Sequence, residues 1–167
     1  MNRLLRTVLL FVLTLLLGGC GLHLRGQAQM PFDSLYLQAP NLYAPLVVEL
    51  RRALSTNNVK IAAQQNEATL TLQIVSEIAD QRILSLSRAG RVSEYRLRYR
   101  VSLRAYDAQQ QEWMPAQEIQ LQRDLTYSDT QILAKQEESA MLYKDMRSDA
   151  VQQILRRLSR AKPHATE

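Results

Sequence analysis

Cysteine, glycine and histidine are scarce in this chain of 167 residues, and each shortage excludes a class of function. The only cysteine is Cys20, so no disulfide can form within the chain. Of the five glycines only Gly90 follows Gly26, which leaves the body of the chain without a glycine-rich phosphate loop. The histidines, His23 and His164, lie near the two ends, so no Ser-His or Cys-His pair can be placed in a folded core. The composition predicts a protein that is not an enzyme and has no cofactor and no metal site.

A transmembrane helix is also missing, because the one long apolar run is too short to cross a bilayer. The run extends from Val8 to Leu17, whereas a membrane span needs about 20 apolar residues. Two arginines, Arg3 and Arg6, precede it and small residues follow it, as in a cleaved secretory signal peptide. We therefore predict a signal peptide over residues 1–19.

The residues that end this run, Leu17-Gly18-Gly19-Cys20, resemble the bacterial lipobox. In that motif the cysteine is acylated and becomes the first residue of the mature protein. A single fatty chain binds a membrane only marginally, and the lipoprotein pattern implies three chains on Cys20. Gly21 stands where many inner-membrane lipoproteins have aspartate, which points to the outer membrane. We expect residues 20–31 to form a lipidated tether on its periplasmic side.

The mature chain has the length of one domain and a mild positive charge. Loss of the signal peptide reduces the 21 basic residues to 19 against 16 acidic ones, which gives a net charge of +3. With an export signal, this charge does not indicate a nucleic-acid partner. We predict one domain over residues 32–160 and a disordered tail over residues 161–167.

The spacing of apolar residues predicts an α+β domain. Alternation with period two indicates strands, and apolar residues three or four apart indicate helices. Together they imply a two-layer sandwich, with two helices on one face of a mainly antiparallel, mixed sheet of about four strands whose other face is polar. The predicted elements are a strand at Ser34–Gln38, a helix from Pro45 to Asn57-Asn58, a short strand or extended connection at Val59–Ala62, a strand with Leu70, Leu72, Ile74 and Ile78 on one face, and a strand from Tyr95 to Ala105. A shorter strand follows at Ile119, Leu121 and Leu125, which residues 107–111 and Pro115 separate from the preceding strand, and then a helix that Ser128, Asp129 or Thr130 caps and Pro163 stops.

Three groups of cations are candidate contact sites. The tip between the two long strands contains Arg88 and Arg91, and Lys135 lies in the first turns of the last helix, where a cation opposes the helix dipole. For these residues an ordinary solvated turn and an exposed lysine are the alternatives. A row of arginines on one strand face can grip an acidic partner or serve as a solvated face that discourages aggregation. This row consists of Arg96, Arg98, Arg100 and Arg104.

Three sequence blocks, in the same order, resemble the LptE family of lipopolysaccharide-assembly lipoproteins from Gram-negative bacteria. The order of the elements also fits this family across nearly the whole mature chain. The blocks are Cys20 to Arg25, then Ser87 to Gly90 with Glu94-Tyr95, and finally Ala134-Lys135 with Met146 and Gln153 to Leu158.

This resemblance implies a plug and assembly partner for the LptD β-barrel of the outer membrane, one that binds lipopolysaccharide on its way to the outer leaflet. It also implies that Arg88 and Lys135 contact lipopolysaccharide, and Arg91 is added only because it lies near Arg88. The alternative is a periplasm-facing lipoprotein that carries a lipid or acyl chain in an apolar cavity. A plug requires a filled core and a polar contact surface, whereas a carrier requires a deep apolar pocket.

Overall fold

The computed structural model describes residues 30–163. The signal peptide at 1–19, Cys20 with most of its tether, and residues 164–167 lie outside this range. Of the predicted tail, residues 161–163 are described, and Ala161 is buried. The elements are β1 (Ser34–Gln38), α1 (Pro45–Thr56), β2 (Lys60–Ile61), β3 (Leu70–Leu86), β4 (Val92–Tyr106), β5 (Glu112–Thr126) and α2 (Ile132–Leu158), with short 3-10 turns at Gln65–Glu67 and Asp129–Gln131.

The strands form one mixed sheet in the order β2-β1-β3-β4-β5. β1 runs parallel to both of its neighbours, whereas β3, β4 and β5 form an antiparallel meander. This arrangement confirms the predicted α+β class with a mainly antiparallel, mixed sheet. The sheet of residues 30–163 has five strands rather than about four. Val59–Ala62, predicted as either a short strand or an extended connection, contains the short strand β2.

Both helices pack on the sheet through apolar stripes, and a single core cluster joins the two layers. β4 contributes alternate buried residues from Leu97 to Ala105, as its period-two pattern predicts. α1 buries four residues, and α2 fully buries residues only from Met146 onward, with Leu142 and Tyr143 packed partly buried against the core. The buried helix residues are Leu46, Val47, Leu50 and Leu54 of α1 with Met146, Ala150, Val151, Ile154, Leu155 and Leu158 of α2.

A bulge in β3 moves its apolar residues from one face to the other. Leu72 and Ile74 are buried opposite Ala105 and Leu103 of β4. The pairing then shifts by one residue between Ile74 and Ser76, so residues 76–83 of β3 change face until a second shift follows Ile83. The prediction that Ile78 shares the buried face is therefore wrong, and its side chain is 41% exposed.

Two proline-based boundaries also differ from the prediction. Residues 107–111 separate β4 from β5 as predicted, but Pro115 lies inside β5, an edge strand in which a missing N–H group costs no hydrogen bond to a neighbour. α2 ends at Leu158, before Pro163 is reached. Within residues 30–163 no helix combines the length and apolar character needed to span a membrane.

Candidate functional site

The turn between β3 and β4 places two of the predicted cations at the end of a long hairpin. The backbone N–H of Gly90 donates to the carbonyl of Ser87 at 2.9 Å, and the N–H of Ser87 donates to the carbonyl of Arg91 at 2.7 Å. Gly90 has a φ of 73°, a left-handed conformation that glycine adopts without strain. Arg88 and Arg91 are exposed in this turn, and neither forms an ion pair within residues 30–163.

Lys135 lies on the first turns of α2 and is already paired. Its Nζ donates to Oε2 of Glu138 at 2.7 Å, and its side chain is only 17% exposed. This carboxylate offsets the unfavourable position of a cation near a helix N-terminus. The lysine lines an open cleft of about 250 Å³, whose other residues are Gln81, Tyr95, Leu125, Tyr127, Ile132, Gln136 and Ser139.

Arg91 lines a second cleft, and Tyr127 is common to both. The second cleft has a volume of about 200 Å³ and reaches from the hairpin tip to Thr130. The ring of Tyr127 packs edge-on against that of Tyr95, with centroids 5.1 Å apart. Tyr127 thus separates a cleft lined by Arg91 from one lined by Lys135. No hydrogen bond or ion pair among the described residues joins Arg88 to Lys135.

The four arginines of the predicted row, unlike those of the tip, have partners on neighbouring strands. Arg98 and Arg100 both bind Asp80 of β3, at 2.7 and 3.3 Å. The hydrogen bond from Arg98 is the main cause that holds the pKa of the Asp80 carboxyl below its usual value, against a partial desolvation.

The two ends of the row are paired in the same way. Arg96 makes a two-pronged contact with Asp124 of β5, at 2.8 and 3.0 Å, which lowers the pKa of Asp124 and raises that of Arg96. Arg104 donates to Oε1 of Gln73 at 2.6 Å and lies over the ring of Tyr106. The row is therefore a network within the sheet, and sequence reasoning missed its carboxylates because they depend on strand register.

A buried hydroxyl and a helix contact complete the polar network around β3. Burial, followed by the hydrogen bond to Glu77 at 2.6 Å, raises the pKa of the Tyr99 hydroxyl. From α2, the Tyr143 hydroxyl donates to the backbone carbonyl of Asp80 at 2.8 Å. Burial also raises the pKa of Tyr143. These groups stay protonated at physiological pH and act as hydrogen-bond donors.

Comparison with known proteins identifies the family. Residues 32–158 match the family model LptE, described as lipopolysaccharide-assembly. The LPS-assembly lipoprotein LptE of Yersinia pestis is 32% identical over 160 residues, which cover 91% of this chain and 74% of that protein.

Solved structures of lipoproteins have the same fold. Lipoprotein B from Nitrosomonas europaea is 45% identical with a TM-score of 0.72, covering 83% of this chain and 90% of its own. The rare lipoprotein B from Shewanella oneidensis is 31% identical with a TM-score of 0.67, covering 74% of this chain and 92% of its own. The matches confirm the prediction of a non-enzymatic lipoprotein that takes part in assembly. The chain belongs to the LptE family of lipopolysaccharide-assembly lipoproteins.

Proposed function

We propose that this protein is anchored to the outer membrane through lipidated Cys20, acts as plug and assembly partner of the LptD β-barrel, and binds lipopolysaccharide during its delivery to the outer leaflet. The observation that carries the proposal is the match of residues 32–158 to the lipopolysaccharide-assembly family. The protein has a binding and positioning role in this function and supplies no catalytic group.

The open sheet face suits contact with a hydrated barrel lumen. Each guanidinium group has five N–H donors, and the pairs in the arginine row use only some of them. The remaining exposed donors can bind carbonyl or carboxylate oxygens of a partner; the Nε of Arg100 is buried and is not among them. We therefore keep Arg96, Arg98, Arg100 and Arg104 as the candidate partner-contact face.

The hairpin tip and the first turns of α2 suit an anionic ligand. Lipopolysaccharide carries phosphates, and arginine offers a fork of donors that matches phosphate oxygens. Arg88 and Arg91 have no ion pair in the described chain to be broken first. A phosphate near Lys135 would replace the Glu138 carboxylate, which lies on an exposed helix face.

The clefts favour a plug over a lipid carrier. The cleft at Lys135 has about 250 Å³ and the cleft at Arg91 about 200 Å³, and both open to solvent between polar side chains. Sites that enclose most of a small-molecule ligand usually have about 300–1,000 Å³. A third cleft, of about 320 Å³ between the end of β1 and β3, lies at the lower end of this range and also opens to solvent. The core between the helices and the sheet is filled by a continuous apolar cluster.

Affinity purification tests the plug role. The full-length lipoprotein is purified from the outer membranes of its own organism in mild detergent, and the co-purifying proteins are identified and quantified. We expect a large β-barrel protein in a ratio of about one to one, and an unrelated tagged outer-membrane lipoprotein serves as the control. Recovery of the tagged chain without a barrel protein would contradict the proposal.

A double substitution tests the lipopolysaccharide site. We expect R88Q with K135Q to weaken binding of lipopolysaccharide by the soluble domain at least about tenfold, because each charge-assisted contact contributes about 1.5–3 kcal/mol. Adding R91Q should weaken it further. The matched control is R51Q with K144Q, which removes the same charge from exposed positions on α1 and α2 that form no ion pair within residues 30–163. Unchanged binding would remove Arg88 and Lys135 from the site and leave the plug role untouched.

A further inference from the structure

The upper half of β3 has an edge without a neighbouring strand. β1 pairs with β3 only from Leu70 to Gln73, whereas β3 continues to Leu86. Within residues 30–163 no other strand pairs with this side of β3, so residues 75–86 form what we call the free edge. One backbone acceptor of this segment, the carbonyl of Asp80, already accepts from the Tyr143 hydroxyl of α2 at 2.8 Å. Backbone N–H and C=O groups of alternate residues point away from the sheet along such an edge.

The free edge has fewer of the devices that protect the opposite edge of the sheet, and its charged side chains are Glu77, Asp80 and Arg82. β5 carries Pro115 within a strand rich in charged and amide side chains. The free edge contains neither proline nor lysine, and its two bulges lie at its ends, so residues 76–83 pair regularly with β4. Its exposed apolar side chains are Val75, Ile78, Ile83, Leu84 and Leu86.

An apolar cleft lies where the free edge begins. This base cleft has about 320 Å³ and is formed between the end of β1 and the bulge of β3. Its walls include Ala39, Pro40, Ala44, Val47 and Val75. An extended peptide that adds to a sheet edge gains affinity from backbone hydrogen bonds and specificity from pockets that accept its side chains. The free edge and the base cleft supply these two elements side by side.

We propose that the free edge pairs with an extended segment of the barrel protein, which adds a strand beside β3 and places an apolar side chain in the base cleft. This inference rests on the function proposed above. Arg82 lies on the free edge, is exposed and has no ion pair within the described chain. The segment should therefore carry an apolar residue for the base cleft and a carboxylate about seven residues away, the separation of Val75 and Arg82.

The geometry disfavours the two other occupants. If two copies paired antiparallel about Gln81, Val75 of one copy would face Ser87 of the other, so the polar hairpin tip would lie over the apolar base cleft. The chain's own N-terminal segment approaches from the opposite end of β1, where Phe32 is buried in the core. A segment of another protein remains as the occupant that can fill the base cleft.

Backbone hydrogen exchange tests the pairing. The full-length lipoprotein is co-expressed with the LptD barrel protein of the same organism, and exchange in the purified complex is compared with that of the lipoprotein alone. We expect amides within residues 76–83 to exchange at least about tenfold more slowly in the complex, because a paired N–H must open before it exchanges. Amides on the outer side of β5 are the internal control, because enclosure in the barrel alone would slow their exchange as much as that of residues 76–83.

A charged side chain at the base cleft provides a second readout. Val75 is 51% exposed, so V75K should fold normally while it places a protective lysine at the free edge. We expect at least about a fivefold loss of co-purified barrel, whereas M141K, at an exposed apolar position on α2, should retain wild-type recovery. Melting curves of both variants check that the domain is folded.

The outcomes separate this inference from the proposed function. Absence of the barrel from the wild-type preparation would overturn both. A stable complex with unchanged exchange over residues 76–83 and normal V75K recovery would overturn the edge pairing alone. Protection that rises with the concentration of the isolated lipoprotein would identify a second copy as the occupant and also overturn it.

Discussion

At the residue scale, Asp80 decides how the arginines of β4 are used. It lies between Arg98 and Arg100 and accepts hydrogen bonds from both. The tip arginines, Arg88 and Arg91, have no such carboxylate partner in the described part of the chain. One strand pair thus separates cations that hold the sheet together from cations that are available to a ligand.

The pKa of Asp80 leads to a prediction about acid stability. The pKa of Asp80 is lower in the folded than in the unfolded chain. Its contribution to the free energy of unfolding is therefore fully present above about pH 4 and is lost as the pH falls through the folded pKa. We expect D80N to unfold more readily than wild type at pH 7 and to show a flatter decrease of stability below about pH 4.

Urea unfolding of the soluble domain between pH 2 and pH 7 measures this effect. D129N is the control, since Asp129 has no ion pair within residues 30–163. If the free energy of unfolding decreased as steeply below about pH 4 in D80N as in wild type, Asp80 would not contribute to the loss of stability in acid.

At the scale of elements, the hairpin formed by β3 and β4 depends on one glycine. Gly90 has a φ of 73°, and a Cβ built on it would meet no atom within 4 Å. The cost of G90A should therefore come from the backbone conformation alone, about 1 kcal/mol of unfolding free energy. G90N should cost less, because asparagine tolerates this region, and A89S serves as a neutral neighbour. Equal stability of G90A and wild type in urea unfolding would contradict this account.

Most elements follow from local patterns, but two features of β3 do not. The strand at Ser34–Gln38 and the helix from Pro45 are predicted with their observed starts, because turns and a proline mark them directly. The bulge at Val75 leaves no local signal, since the apolar pattern continues to Ile78 on the wrong face. The arginine pairs likewise depend on register, which aligns Asp80 with Arg98 only after the bulge has shifted the strand.

The sequence predicted which residues belong to the candidate site better than it predicted how they are arranged. The tip position of Arg88 and Arg91 follows from the pattern of the two long strands around Gly90. The pairing of Lys135 with Glu138 is a local helix contact that spacing permits. The cleft between Lys135 and Tyr127 depends on how α2 crosses β4 and β5, and residue spacing along the chain does not specify that crossing.

At the scale of the whole molecule, two attachments are expected: the lipid on Cys20 and the enclosing barrel. For C20S exported by a non-lipoprotein signal peptide, we expect loss of labelled palmitate, because the chain has no other cysteine to acylate. We also expect the barrel to co-purify with C20S at near wild-type yield, since the contacts that we propose lie in residues 32–160. Palmitate labelling that persists in C20S would contradict acylation at this residue.

The position of β1 in the sheet affects the order in which the strands pair during folding. Leu35 pairs with Leu70, 35 residues further along the chain, whereas β3 meets β4 through a short turn. Nearby segments close quickly and distant ones slowly, so the meander of β3, β4 and β5 should form before β1 finds its place. A chain that is exported with its N-terminus first therefore delivers β1 early, and the two-residue β2 is the described strand available to pair with it until β3 has arrived. The strand next to the tether is the first to emerge, and it joins the meander last, together with β2.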